Sequence, residues 1–227
     1  MKNTICIIPA RSGSIGVKDK NIQVLKKTPL LIDSIQFAKK LNFVDKIVVS
    51  TDSEKYMNIC NRFNFQVKDL RPKKLAKKYT PTLDVIKYEL EKFKNEYLKK
   101  IKYVLILQPN CPFKKIEDFY KAYRMINKGY DTLITIRKVK DHPDHMIKIK
   151  KNELIHYQIK TKSRFVPRQK LEPIYTRSGS MYLFNVSNIK KFNSIIGKKI
   201  FGIEVDGKYA LNIDSKEEMF LAKHYYK

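Results

Sequence analysis

Residues 5–21 read Ile-Cys-Ile-Ile-Pro-Ala-Arg-Ser-Gly-Ser-Ile-Gly-Val-Lys-Asp-Lys-Asn, and they hold the residue types a triphosphate needs. Gly13 and Gly16 let a backbone turn tightly and approach a ligand. Successive N–H groups from Ala10 through Ser12, Gly13 and Ser14 can then converge on an anion. Arg11, Lys18 and Lys20 bring positive charge to the same turn, and Asn21 follows. The loop lacks the GK[ST] of a Walker A sequence and is not GxGxxG. A basic β-turn without a ligand has the same composition.

Other candidates are scattered along the chain. Arg71 precedes Thr80 and Thr82, which open an apolar-periodic run. Hydroxyls and backbone groups at a helix start can hydrogen-bond a polar ligand, and an arginine can meet an anion. An ordinary capped helix accounts for the same residues. Gln108 ends an apolar run and offers both a donor and an acceptor. Arg168, beside Gln169, can clamp a carboxylate bidentately or hold phosphate oxygens. Asp214 lies in Leu-Asn-Ile-Asp-Ser-Lys-Glu-Glu, residues 211–218, where it can equally stand beside a capped helix start. His142, His145 and His156 lack metal-ligand spacing, so zinc is not expected.

These residues need a scaffold, and the periodicities describe one. Residues 5–8 read as a buried strand whose ladder ends at Pro9, because proline has no N–H. Thr28 reads as an N-cap and Pro29 as the first residue of a helix with Leu31, Ile35, Ala38 and Leu41 on one face. Residues 46–51 form a second strand. Ser53 caps a helix carrying Tyr56, Ile59, Cys60 and Phe63. Val85, Ile86, Leu90 and Phe93 face inward from a further helix. Residues 103–107 are almost wholly apolar, as a central strand is. A helix over 116–126 with Phe119, Tyr120 and Tyr123 in the core precedes a strand over 131–137. Residues 146–150 and 154–159 alternate apolar and polar about Lys151-Asn152, which predicts a hairpin. A late strand over 203–205 precedes a capping box of Ser215 and Glu218. The alternation of strands and helices predicts an α/β fold with a mainly parallel sheet. Ligands of such sheets sit beyond the strand C-termini, where Arg11 and Asp52 fall.

At 227 residues and 43% apolar content the chain suits a single domain, 1–227, with a real core. No apolar run approaches the roughly 18 residues of a membrane helix, and no signal peptide precedes the first strand. Cys6, Cys60 and Cys111 are an odd, widely spaced set, read as reduced thiols of a cytoplasmic protein. The net charge of +26 invites a nucleic-acid reading. The lysines are spread through nearly every segment, however, and a diffuse positive field attracts small anions equally.

The order of motifs resembles the acylneuraminate (CMP-sialic acid synthetase-like) cytidylyltransferases. Pro9-Ala-Arg-Ser-Gly-Ser-Ile-Gly16 followed by Lys20-Asn21 is similar to that family's P-A-R-G-G-S-K-G and K-N, with Ser12 for a glycine and Ile15 for a lysine. Arg71-Pro-Lys-Lys-Leu-Ala76, Leu107-Gln-Pro-Asn-Cys-Pro112, Arg168-Gln169 and Tyr175-Thr-Arg-Ser-Gly-Ser-Met-Tyr182 follow in the family's order. Asn212-Ile-Asp214 stands where the family has D-I-D. The resemblance implies a Rossmann-like nucleotidyltransferase fold. It implies transfer of CMP from CTP to the anomeric hydroxyl of a nonulosonic acid of the sialic, legionaminic or pseudaminic type, releasing pyrophosphate, for surface glycan synthesis.

It further implies nucleotide contacts from Ala10, Arg11, Ser12, Gly13, Ser14, Gly16, Lys20, Asn21, Arg71, Thr80 and Thr82. Acceptor contacts would come from Gln108, Arg168 and Gln169, catalytic roles from Arg11, Lys20 and Arg168, and a Mg²⁺ ligand from Asp214. Residues 142–182 would project as a dimerisation element of a homodimer. The alternatives are a cytidylyltransferase for an octulosonate or a non-sugar acid, and a non-catalytic nucleotide- or nucleic-acid-binding protein, which Asn212 and the +26 charge favour.

Overall fold

A computed structural model describes residues 2–14, 16–157 and 167–226. The first strand, β1 (Thr4–Pro9), has five consecutive fully buried residues before Pro9. It runs one residue further than expected, since Pro9 still pairs with Ser50 in the ladder. A two-residue ribbon, β2 (Val24–Leu25) with β3 (Thr28–Pro29), then leads into α1 (Leu30–Lys39). Thr28 is therefore not the N-cap. It pairs with Leu25, Pro29 takes the cap position, and the Leu30 N–H donates to the Gln23 carbonyl. Next come β4 (Val44–Ser50) and α2 (Glu54–Arg62), whose N-cap Ser53 accepts from the Tyr56 N–H as expected. Phe63, expected on that helix, lies just past its last residue as the C-cap and is exposed.

The helices α3 (Thr82–Glu91) and α4 (Asn95–Lys100) return the chain to β5 (Tyr103–Ile106), which is wholly buried. Then follow α5 (Ile116–Asn127), β6 (Thr132–Lys138), and a separate hairpin of β7 (Ile147–Lys150) and β8 (Glu153–His156). Lys151 and Asn152 both have positive φ at its turn, the conformation a two-residue hairpin requires. The expected continuation to Ile159 lies outside the described residues. The chain closes through β9 (Tyr175–Asn185), α6 (Ser187–Phe192), β10 (Ile200–Glu204) and α7 (Lys216–His224).

The central sheet has the order β10-β6-β9-β5-β1-β4. β9 alone runs antiparallel, wedged between β5 and β6, while the other pairs are parallel. The expected α/β fold with a mainly parallel sheet is thus observed. Because Tyr175–Asn185 is a strand of this sheet, the appended segment ends before Tyr175 rather than at 182.

One face of the sheet packs Leu105, Leu133 and Leu183 against α1 and α5 through Ile35, Ala38, Phe119 and Ala122. The other packs Ile5, Ile7, Val104 and Ile106 against Ile86 and Leu90 of α3. Burial of apolar side chains on both faces, worth about 1.5–3 kcal/mol each, fixes the strand ends relative to one another. The loops that leave those ends are therefore held in register.

Candidate active site

β1 leaves the sheet where the Ala10 N–H donates to the Ser50 carbonyl at 2.8 Å. Ala10 is consequently buried behind the loop, not exposed to a ligand. Ser12 turns away from solvent as well. Its N–H and its hydroxyl donate to the two carboxylate oxygens of Asp52, at 2.9 and 2.8 Å. The Arg11 guanidinium donates to the Gly13 carbonyl, and the Asn21 side-chain amide donates to the Arg11 carbonyl at 3.0 Å. The loop is thus fastened from both sides, and what it leaves open is the space in front of Arg11, Ser14 and Gly16.

The far end of the chain completes that space. Lys20 Nζ stands 2.6 Å from an Asp214 carboxylate oxygen, across 194 residues of sequence. The Asn110 side-chain amide donates to the same oxygen at 3.2 Å. A Cβ added at Gly16 would collide with the Asp214 carbonyl oxygen, so only glycine lets the two strands of backbone pass. Behind Asp214, the Ile213 N–H donates to the Asn110 carbonyl at 2.8 Å, and the capping box of Ser215 and Glu218 starts α7.

The resulting cleft encloses about 410 Å³ beyond the C-terminal ends of β1 and β5. Of the residues expected there, Arg11, Ser14, Gly16, Lys20, Asn21, Arg71, Thr80, Thr82, Gln108 and Asp214 line it. Ala10, Ser12 and Gly13 shape the loop without lining the cleft. Gln169 is elsewhere, in a small pocket with Lys138 and His142. Arg168 belongs to the turn Arg168–Lys170, and its side chain is outside the described residues.

Lys77 and Lys78 also line the cleft. Their signal was a second lysine pair just before Thr80, lost in a chain where lysine is everywhere. Arg11, Lys20, Arg71, Lys77 and Lys78 face one carboxylate among the described lining residues, Asp214, so the cleft is built for an anion.

Arg71 is 4% exposed, and its Nε has no partner among the described residues. Burial lowers its pKa, while the nearby Asp52 and Glu89 carboxylates oppose that shift. An arginine stays charged through shifts of this kind. A buried donor without a partner is costly, about 1–3 kcal/mol.

At the Asp214 end the donor set is oxygen-rich but holds a single carboxylate. The Asn212 carboxamide oxygen accepts from the Cys111 thiol at 3.0 Å. Burial pushes that thiol up to about 12, so it stays a protonated donor. No cluster of three or more His, Cys, Asp or Glu side chains able to hold a metal occurs among the described residues. A hard divalent ion that takes most of its ligands from substrate phosphates still fits one carboxylate. A metal held wholly by protein does not.

Several known proteins share this arrangement of chain. N-acylneuraminate cytidylyltransferase of Streptococcus agalactiae serotype V is 27% identical over 94% of this chain, which spans about half (51%) of that relative's length. CMP-N,N'-diacetyllegionaminic acid synthase of Campylobacter jejuni is 27% identical over 95% of this chain and 92% of its own. A solved structure titled as CMP:2-keto-3-deoxy-manno-octonic acid synthetase complexed with CTP superposes with a TM-score of 0.70 at 11% identity, covering 98% of each chain. That likeness is one of fold. Residues 5–205 match the family described as cytidylyltransferase, which takes in the glycine loop, Arg71 and the strands of the central sheet, and the chain belongs to that family.

Proposed function

We propose that this protein transfers CMP from CTP to the anomeric hydroxyl of a nonulosonic acid and releases pyrophosphate. The observation that carries the reading is the meeting of the glycine loop with Asp214 through Lys20 and Gly16. A loop for phosphates and a carboxylate for a cation are thereby brought to one cleft. The relatives named above supply the acceptor class.

In the reaction the acceptor hydroxyl attacks the α-phosphorus, and the bond to the bridging oxygen of pyrophosphate breaks in line. Such chemistry rests on positioning and on neutralising charge. Arg11 and Lys20 would face the phosphates, held in place by Asn21 and Asp214. Arg71, Thr80 and Thr82 would hold the nucleoside, and Gln108 the sugar acid. Asp214, with substrate phosphates, would hold Mg²⁺, which supplies charge stabilisation at the phosphoryl oxygens. Lys20 already compensates the Asp214 charge, so a bound cation would compete with it for that carboxylate.

The exposed apolar side chains Ile147, Ile149 and Leu154 of the hairpin suit a homodimer contact. Arg168 and Gln169 follow the hairpin in sequence. As Gln169 is away from this chain's own cleft, an acceptor role for it would be played in the cleft of a second copy. CTP is an intracellular substrate, and the reading places the protein in the cytoplasm.

The test is pyrophosphate release from CTP with a panel of sialic, legionaminic, pseudaminic and eight-carbon keto acids. Release that needs both Mg²⁺ and a nine-carbon acid is expected. Release with only the eight-carbon acid would move the substrate. No release with any acid, together with tight RNA binding, would replace the enzyme by a binding protein.

A further inference from the structure

Just past β4, Asp52 makes contacts that the cleft lining does not include. Asp52 does not line the cleft, and its side chain is only 14% exposed. Yet it touches both walls. Its two oxygens take the N–H and hydroxyl of Ser12 in the phosphate loop. The first of those oxygens also lies 3.9 Å from a terminal nitrogen of Arg71 in the nucleoside arm. The backbone beside it makes the same connection, since the Arg71 N–H donates to the Thr51 carbonyl at 2.6 Å. Glu89, the other carboxylate near Arg71, is already committed to Lys92 at 2.8 Å and to the Ser50 hydroxyl at 2.6 Å. The bond to Asp52 uses both polar groups of Ser12, its backbone N–H and its hydroxyl.

We propose that Asp52 is a positioning residue that ties the phosphate loop to the nucleoside arm, so that the two halves of a nucleoside triphosphate are bound by one rigid unit. The proposal rests on the cytidylyltransferase reading of the cleft but names a residue acting from behind it. The carboxylate accepts both Ser12 bonds and carries a charge that balances a desolvated guanidinium 3.9 Å away. Asp52→Asn keeps the shape and loses the charge and one acceptor.

The experiment titrates CTP, cytidine and inorganic tripolyphosphate into the protein without any acceptor, alongside thermal melts. Wild type is expected to bind CTP. Asp52→Asn is expected to weaken CTP binding about tenfold, the scale of one hydrogen bond to a charged group. It should weaken cytidine and tripolyphosphate as well, with a melt that stays two-state. Arg71→Ala should weaken cytidine far more than tripolyphosphate, and Ser12→Ala the reverse. If Asp52→Asn does not stay folded, Ser12→Ala decides, and unchanged tripolyphosphate binding in that variant overturns the proposal. Asp52→Asn binding CTP as wild type does overturns it while leaving the cleft assignment standing. A wild-type protein that binds no CTP brings down both.

Discussion

Lys20 and Arg11 are where single atoms matter most. Each presents charge to the cleft, and one transition-state donor is worth roughly 3 kcal/mol. Lys20→Ala or Arg11→Ala is therefore expected to lower turnover about 100-fold in a pyrophosphate-release assay. Unchanged kinetics would take the loop out of the site. Asp214→Ala should raise the Mg²⁺ concentration needed for half-maximal activity sharply, and an unaltered metal titration would put the ion elsewhere. Cys111 gives a pH prediction. Its pKa rises from an ordinary 9.0 to about 12 on burial, so the folded state keeps a proton that the unfolded state releases. Stability from this thiol is whole below pH 9 and is lost as pH climbs toward 12. Urea midpoints should fall across that window in wild type and fall less steeply in Cys111→Ser.

At the level of elements, the pieces that could be read from sequence are those whose reasons are local. Ser53 and the Ser215–Glu218 box lie within four residues of the N–H groups they satisfy, and both are where the spacing put them. Ser215→Ala should cost about 1 kcal/mol, visible as a lower melting temperature. The elements that escaped have distant reasons. Thr28-Pro29 has the composition of a helix start, but a ladder with Leu25 and the Gln23 carbonyl claims the residues first. The place of Tyr175–Asn185 between β5 and β6 is set by burial across the whole sheet, which no window of sequence reports.

The site divides in the same way. Arg11, Lys20, Arg71 and Asp214 were legible from residue type and motif order. Ser12 facing Asp52, and Lys77 and Lys78 at the rim, became visible only once the chain was folded. Gly16→Ala belongs to this scale too, because its Cβ would press on the Asp214 carbonyl oxygen. A forced backbone shift costs about 1–3 kcal/mol, and the loss should appear in thermal melts together with weaker CTP binding.

For the molecule as a whole, charge and the exposed hairpin dominate. A net +26 with a cationic cleft should draw in CTP by long-range attraction. The apparent affinity for CTP is expected to weaken as salt shortens the reach of these charges to about 8 Å near physiological strength. A salt-independent titration would assign binding to short contacts alone. The hairpin exposes Ile149 and Leu154 by 76% and 67%. Ile149→Lys with Leu154→Lys should convert a dimer to a monomer in sedimentation, and a wild-type monomer would remove the hairpin's role.

The bond between Lys20 and Asp214 spans 194 positions, and this has a bearing on biosynthesis. A ribosome translates the glycine turn long before it reaches the carboxylate that faces it. The nascent chain therefore emerges with one half of a grip and nothing to close it. The ion pair that joins the two ends can form only after Asp214 has been made, so a fragment stalled upstream of it would carry Lys20 without that partner.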